Sequence, residues 1–65
     1  MQFSINGKIE TSNASTIDEL VKELGLDSNS LVVEHNDQII RQEQWPATKL
    51  QEGDGLELLN FVGGG

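Results

Sequence analysis

The sequence predicts a two-layer α+β domain, and three observations carry that prediction: an Asn-Gly hairpin signal at Asn6-Gly7, one amphipathic helical stripe from Ile17 to Leu24, and short apolar runs that return after it. The element order is hairpin, helix, two strands, crossover, strand. A single helix that follows a hairpin can cover one face of a mixed sheet, and the final strand can pair beside the first. With 65 residues there is room for one domain, and a domain this small buries only about 60% of the surface its unfolded chain exposes. A deep, water-excluding active site would compete with the core for the same few apolar side chains.

Met1, Phe3 and Ile5 alternate with Gln2 and Ser4, the period of a half-buried strand. Asn6-Gly7 follows at once and suits a type I′ turn, whose two central residues need positive φ. Lys8 to Thr11 is the returning strand, with Ile9 expected to face the core. Ser12 to Ser15 is a polar connection. Thr16 and Glu19 then have capping-box spacing, in which each side chain satisfies the other's free amide. Ile17, Leu20, Val21 and Leu24 fall at i, i+3, i+4 and i+7 as one apolar stripe, with Asp18, Glu19, Lys22 and Glu23 on the wet side. Gly25 stands where a left-handed C-terminal residue is wanted, and Leu26 covers the last turn.

Leu31 to His35 is apolar enough for a central strand, Asn36-Asp37 marks a turn, and Gln38 to Arg41 returns as a short fourth strand. Pro46 excludes a regular strand at its position, so Trp45 through Leu50 is a compact crossover ending at Gly53-Asp54-Gly55. Leu56 to Val62 is the last strand. The expected core is Phe3, Ile5, Ile17, Leu20, Val21, Leu24, Val33, Leu50, Leu56 and Leu58. Residues 1–62 form the domain, and 63–65 a flexible glycine tail.

Eleven acidic against four basic side chains give a net charge of -7. Such a surface repels nucleic acid and anionic membrane, both of which are bound mainly by neutralising phosphates with Lys and Arg. The acids serve either solubility or steering toward basic partner surfaces. There is no cysteine, so neither a disulfide nor a thiolate zinc site staples the fold. No apolar run approaches the roughly 20 residues that cross a bilayer, and no basic-then-apolar leader opens the sequence. A soluble cytoplasmic protein, monomeric when free, is the expectation.

A search for catalytic machinery finds little. His35 is the only histidine, which excludes a histidine pair for metal or proton relay, and a lone strand histidine reads as a surface or packing residue. Asp18, Glu19 and Glu23 share a helix face without the glycine-punctuated oxygen loop of a calcium site. No metal site, resident cofactor or enzymatic activity is expected. What remains is Gly63-Gly64-Gly65. Three glycines after a strand bury no side chain and lose the most backbone entropy on ordering, so they serve reach, flexibility or close approach. Such a tail threads a channel that side chains would block, and it presents the Gly65 carboxylate with no Cβ to hinder attack. ATP can activate that carboxylate as an acyl adenylate, and a sulfur nucleophile can then displace AMP to leave a thiocarboxylate.

The stretch from Gly53-Asp54 through Glu57 to Asn60-Phe61-Val62-Gly63-Gly64-Gly65 resembles the end of the sulfur carrier proteins of thiamine biosynthesis, bacterial relatives of ubiquitin. Met1 to Gly7 resembles that family's opening hairpin, Val33-Glu34-His35-Asn36 its Val-Glu-Arg-Asn stretch, and Arg41 with Trp45 its crossover. The resemblance implies a ubiquitin-like β-grasp fold. It also implies a cycle in which a ubiquitin-activating-like adenylyltransferase uses ATP and magnesium on Gly65, a cysteine desulfurase supplies sulfur, and thiazole synthase accepts it. Alternatives of the same fold are the small subunit of molybdopterin synthase and a ubiquitin-like protein modifier. His35 departs from the family's frequent arginine, which puts in doubt any salt bridge that arginine would make. For docking, Leu59, Phe61 and Val62 are the expected partner contacts. Leu59 and Phe61 lie exposed beside the tail if the even-numbered face of the last strand is the core; otherwise both faces are buried.

Overall fold

The structure of the protein, a computed structural model, describes residues 1–60. Phe61, Val62, Gly63, Gly64 and Gly65 lie outside the described residues, and with them the end of the predicted last strand and the glycine tail. Within the described residues the order is β1 (Gln2–Ile5), β2 (Lys8–Thr11), α1 (Ile17–Leu24), β3 (Leu31–His35), β4 (Gln38–Ile40) and β5 (Gly55–Asn60), with short 3₁₀ helices at Ser28–Ser30 and Gln42–Ala47. The sheet runs β2-β1-β5-β3-β4. Neighbouring pairs are antiparallel except β1 with β5, which is parallel, so the sheet is mixed and the last strand, not β3, is its centre. This is the α+β arrangement the sequence predicts.

Both hairpins turn where expected. Asn6 (φ 52) and Gly7 (φ 84) are left-handed, as are Asn36 (φ 49) and Asp37 (φ 71), so each turn has positive φ at both central residues, matching the right-handed twist of the strands it joins. The helix starts on Thr16, whose Oγ1 accepts from the Glu19 amide at 3.2 Å. The reciprocal half of the capping box is displaced by one residue. Glu19 reaches the amide and hydroxyl of Ser15 at 2.8 and 2.9 Å, while the Ser15 carbonyl accepts from the Leu50 amide at 2.9 Å in the bridge that joins this segment to the crossover. The two bonds to Glu19, the one from the Ser15 backbone first, hold the Glu19 carboxyl below its ordinary range. Gly25 (φ 70) ends the helix, and Leu26 donates back to the Val21 carbonyl at 3.3 Å.

The core comprises Phe3, Ala14, Ile17, Leu20, Val21, Leu31, Val33, Trp45, Leu50, Leu56 and Leu58, with Ile5, Leu26 and Ile40 packed against it. Three expectations are corrected. Leu24 is 44% exposed: it is the last residue of the eight-residue α1, whose buried residues are Ile17, Leu20 and Val21. Ile9 is 71% exposed because the register sets it opposite Ser4, on the face away from the helix. Trp45 lies in the crossover as expected but is also a core residue, which the expected core omitted, at 1% exposure and with its indole N–H donating to the Ile40 carbonyl at 3.0 Å.

Candidate functional site

Gly63, Gly64 and Gly65 come after β5 in the sequence, so the candidate site begins with what fixes β5 in the sheet. Its inner face is Leu56 and Leu58, both buried. On its outer face Glu57 is exposed and Leu59 is 45% exposed, which decides between the two sequence readings at Leu59 in favour of exposure. The other predicted contacts, Phe61 and Val62, and the glycines Gly63, Gly64 and Gly65 lie outside the described residues.

The register shows what accompanies Leu59. Val32 of β3 lies directly opposite it, Glu34 lies opposite Glu57, and Ile39 of β4 lies opposite Glu34. Side chains directly opposite share a face, so the outer face presents exposed Leu59 and Ile39 around a pair of facing glutamates. Ile9 of β2 is on that face too, at the other edge of the sheet. Like charges placed opposite one another are mildly destabilising. No ion pair to Glu34 or Glu57 occurs among the described residues.

At the entry to β5, the buried carboxylate of Asp54 gathers three donors. Oδ2 accepts from the Gln51 amide at 2.8 Å and from His35 Nε2 at 2.7 Å, and Oδ1 accepts from Asn36 Nδ2 at 3.2 Å. Because a carboxylate only accepts, the imidazole presents an N–H at Nε2. Burial raises the Asp54 pKa, but the bonds from His35, Gln51 and Asn36 outweigh it, and the carboxyl is held below its ordinary value. His35, read as a surface or packing residue, is thus part of a clasp between β3 and the start of β5, joined to Asp54 by a hydrogen bond of 2.7 Å. Sequence reasoning noticed the Gly53-Asp54-Gly55 turn but not the role of its aspartate, since His35 and Asp54 are 19 positions apart.

The clasp has a pH signature. A carboxyl whose folded pKa is depressed binds fewer protons folded than unfolded, so its stabilisation is complete above the unfolded value and is lost as pH falls through the folded one. Urea unfolding midpoints of the wild type should therefore fall from about pH 5 downward. Asp54→Asn should lower stability at neutral pH by about 1–3 kcal/mol, and the gap to wild type should narrow as the solution is acidified. A constant gap across that range would show that the carboxylate charge contributes nothing.

No cluster of three or more His, Cys, Asp or Glu able to hold a metal is present among the described residues. No described helix is long and apolar enough to cross a membrane. Comparison with known proteins supplies the rest. Residues 2–65 match the ThiS family. The sulfur carrier protein ThiS of Bacillus subtilis is 34% identical over 65 residues, covering 97% of this chain and 98% of that protein. The crystal structure of the thiamine biosynthesis protein ThiS from Geobacter metallireducens superposes with a TM-score of 0.83 at 33% identity, covering the whole of both chains. A thiazole synthase of Paramagnetospirillum magneticum is 38% identical over 66 residues, which is all of this chain but only 20% of that enzyme's length.

Proposed function

Since the chain belongs to the ThiS family of sulfur carrier proteins in thiamine biosynthesis, we propose that it carries sulfur as a thiocarboxylate on Gly65. Its fold is the β-grasp of that family, a family of carriers and not of catalysts. The observation that carries the proposal is the extent of the family match. It runs through residue 65, so the three glycines are part of what is matched.

The chemistry is that of acyl activation. The partner adenylyltransferase, with ATP and magnesium, joins the Gly65 carboxylate to AMP and releases pyrophosphate. Sulfide then adds to the acyl carbon, the bond to the AMP oxygen breaks, and AMP leaves with the electron pair. Where a cysteine desulfurase delivers the sulfur as a persulfide, a thiol reductant must also cleave the sulfur–sulfur bond. Gly63 and Gly64 lead the carboxylate through a channel too narrow for side chains. Thiazole synthase is the acceptor. A thiazole synthase that contains a segment similar to this whole chain supports that pairing, because joining two proteins in one polypeptide gives them a high effective concentration.

Docking falls to the outer face of the sheet next to the tail, with Leu59, Phe61 and Val62 as partner contacts. Exposed Leu59 and Ile39 around Glu34 and Glu57 suit a partner surface that sets a cationic side chain among apolar neighbours. Incubation with ATP, magnesium, the adenylyltransferase and sulfide is the direct test. The intact mass should rise by the replacement of one oxygen with sulfur. An unchanged mass, with an enzyme preparation that modifies another ThiS protein, would reject the carrier chemistry.

A further inference from the structure

The parallel ladder between β1 and β5 is short: Ser4 pairs with Gly55 and Ile5 with Leu56, and then β1 turns away into its hairpin. The next bond is still backbone to backbone, from the Asn6 amide to the Leu56 carbonyl at 2.9 Å. Beyond it a side chain takes over. Asn6 Oδ1 accepts from the Leu58 amide at 2.8 Å, and Asn6 Nδ2 donates to the Leu58 carbonyl at 3.3 Å. One carboxamide thus imitates a peptide unit and extends the sheet by a residue pair toward the glycines, across 52 positions of sequence. Among the described residues it is the only group on the β1 side bonded to β5 past Leu56. Asn36, at the same position of the other hairpin turn, treats the opposite edge similarly: its Oδ1 accepts from the Gly55 amide at 2.9 Å.

We propose that Asn6 is a positioning residue for delivery of the Gly65 carboxylate, fixing Leu58 as the root from which the tail is presented; this rests on the carrier function proposed above. Leu58 is the last buried residue of β5 among the described residues. Gly65 lies seven positions further along the sequence, a reach of at most about 25 Å. Fastening the root on both edges removes in advance part of the ordering that docking would otherwise require. The turn itself does not need the carboxamide, since glycine adopts positive φ freely.

Asn6→Gly therefore keeps the turn and removes the clamp. Asn6→Asp keeps an acceptor for the Leu58 amide but sets a carboxylate against the Leu58 carbonyl. Gly7→Ala is the control: its φ of 84 strains any side chain, yet an added Cβ would meet nothing within 4 Å, so it weakens the turn while leaving the clamp's groups in place. Pyrophosphate release by the adenylyltransferase is measured against carrier concentration, and amide exchange is measured at Leu58. Both Asn6 variants should raise the KM for the carrier by about three- to tenfold with kcat unchanged, and Leu58 should lose protection. Gly7→Ala should leave KM near wild type even where its melting temperature falls as far. An unchanged KM in the Asn6 variants, or an equal rise in Gly7→Ala, would overturn the proposal while leaving the carrier function standing. A wild-type chain that is never adenylated would overturn both.

Discussion

Leu20→Ala is expected to destabilise the domain by about 2–5 kcal/mol, the range for removing a buried leucine and leaving a cavity. Leu20 is 1% exposed, between Ile17 at 0% and Val21 at 2% on the face that α1 turns to the sheet. A domain at about 0.05–0.15 kcal/mol per residue has only about 3–10 kcal/mol in all. No cysteine is present to form a disulfide that would compensate. The variant should therefore be largely unfolded at 37 °C, or have a urea midpoint far below that of wild type. Leu24→Ala is the paired control, one turn further along the same helix. With Leu24 already 44% exposed, its truncation should cost less than about 1 kcal/mol. Equal losses in the two variants would mean that the apolar stripe is not what holds the helix to the sheet.

The same contrast shows what was legible in the sequence. Periodicity located the stripe, but a period says which residues share a face and not which of them the rest of the fold covers. Leu24 therefore read as core on the same grounds as Leu20. Ile9 failed for a related reason. Alternation in Lys8-Ile9-Glu10 is compatible with either face, and one step of register reverses every side chain; the observed pairing sets Glu10 opposite buried Phe3 and Ile9 opposite Ser4. Trp45 lies in a 3₁₀ segment with Pro46, where no repeat marks a buried side. Turns and caps were readable because Asn6-Gly7, Thr16 and Gly25 act on their immediate neighbours.

For the candidate site, composition and position singled out the glycines, since residues without a side chain serve reach and not packing. The groups that fasten β5 were not visible. Asn6, Asn36 and His35 are common residue types in turn or strand positions, and their partners Leu58, Gly55 and Asp54 come near only when the sheet has formed. Sulfur carriers for thiamine and for molybdopterin were both open on the pattern of strand and glycines. The ThiS match over residues 2–65 selects thiamine.

Deleting Gly65 should abolish thiocarboxylate formation and leave the fold unchanged. The described core ends at Leu58, so the melting temperature of the truncated chain should stay within about 1 °C of wild type, given that about 1 kcal/mol moves a domain of this size by 4–8 °C. The shortened chain still ends in a glycine carboxylate, now that of Gly64, so the loss cannot be ascribed to missing chemistry at the terminus. It is a loss of reach. One extended residue spans about 3.5 Å, whereas reacting atoms must approach to about 3–3.5 Å and a misplacement near 1 Å already costs about a hundredfold. Gly65→Ala separates length from bulk: it restores the span but adds a Cβ beside the acyl carbon, and modification should be slowed without being lost. Intact-mass spectrometry after incubation with ATP, magnesium, the adenylyltransferase and sulfide reads all three proteins. Sulfur gained by the truncated chain at the wild-type rate would show that the position of the Gly65 carboxylate is not what the partner recognises.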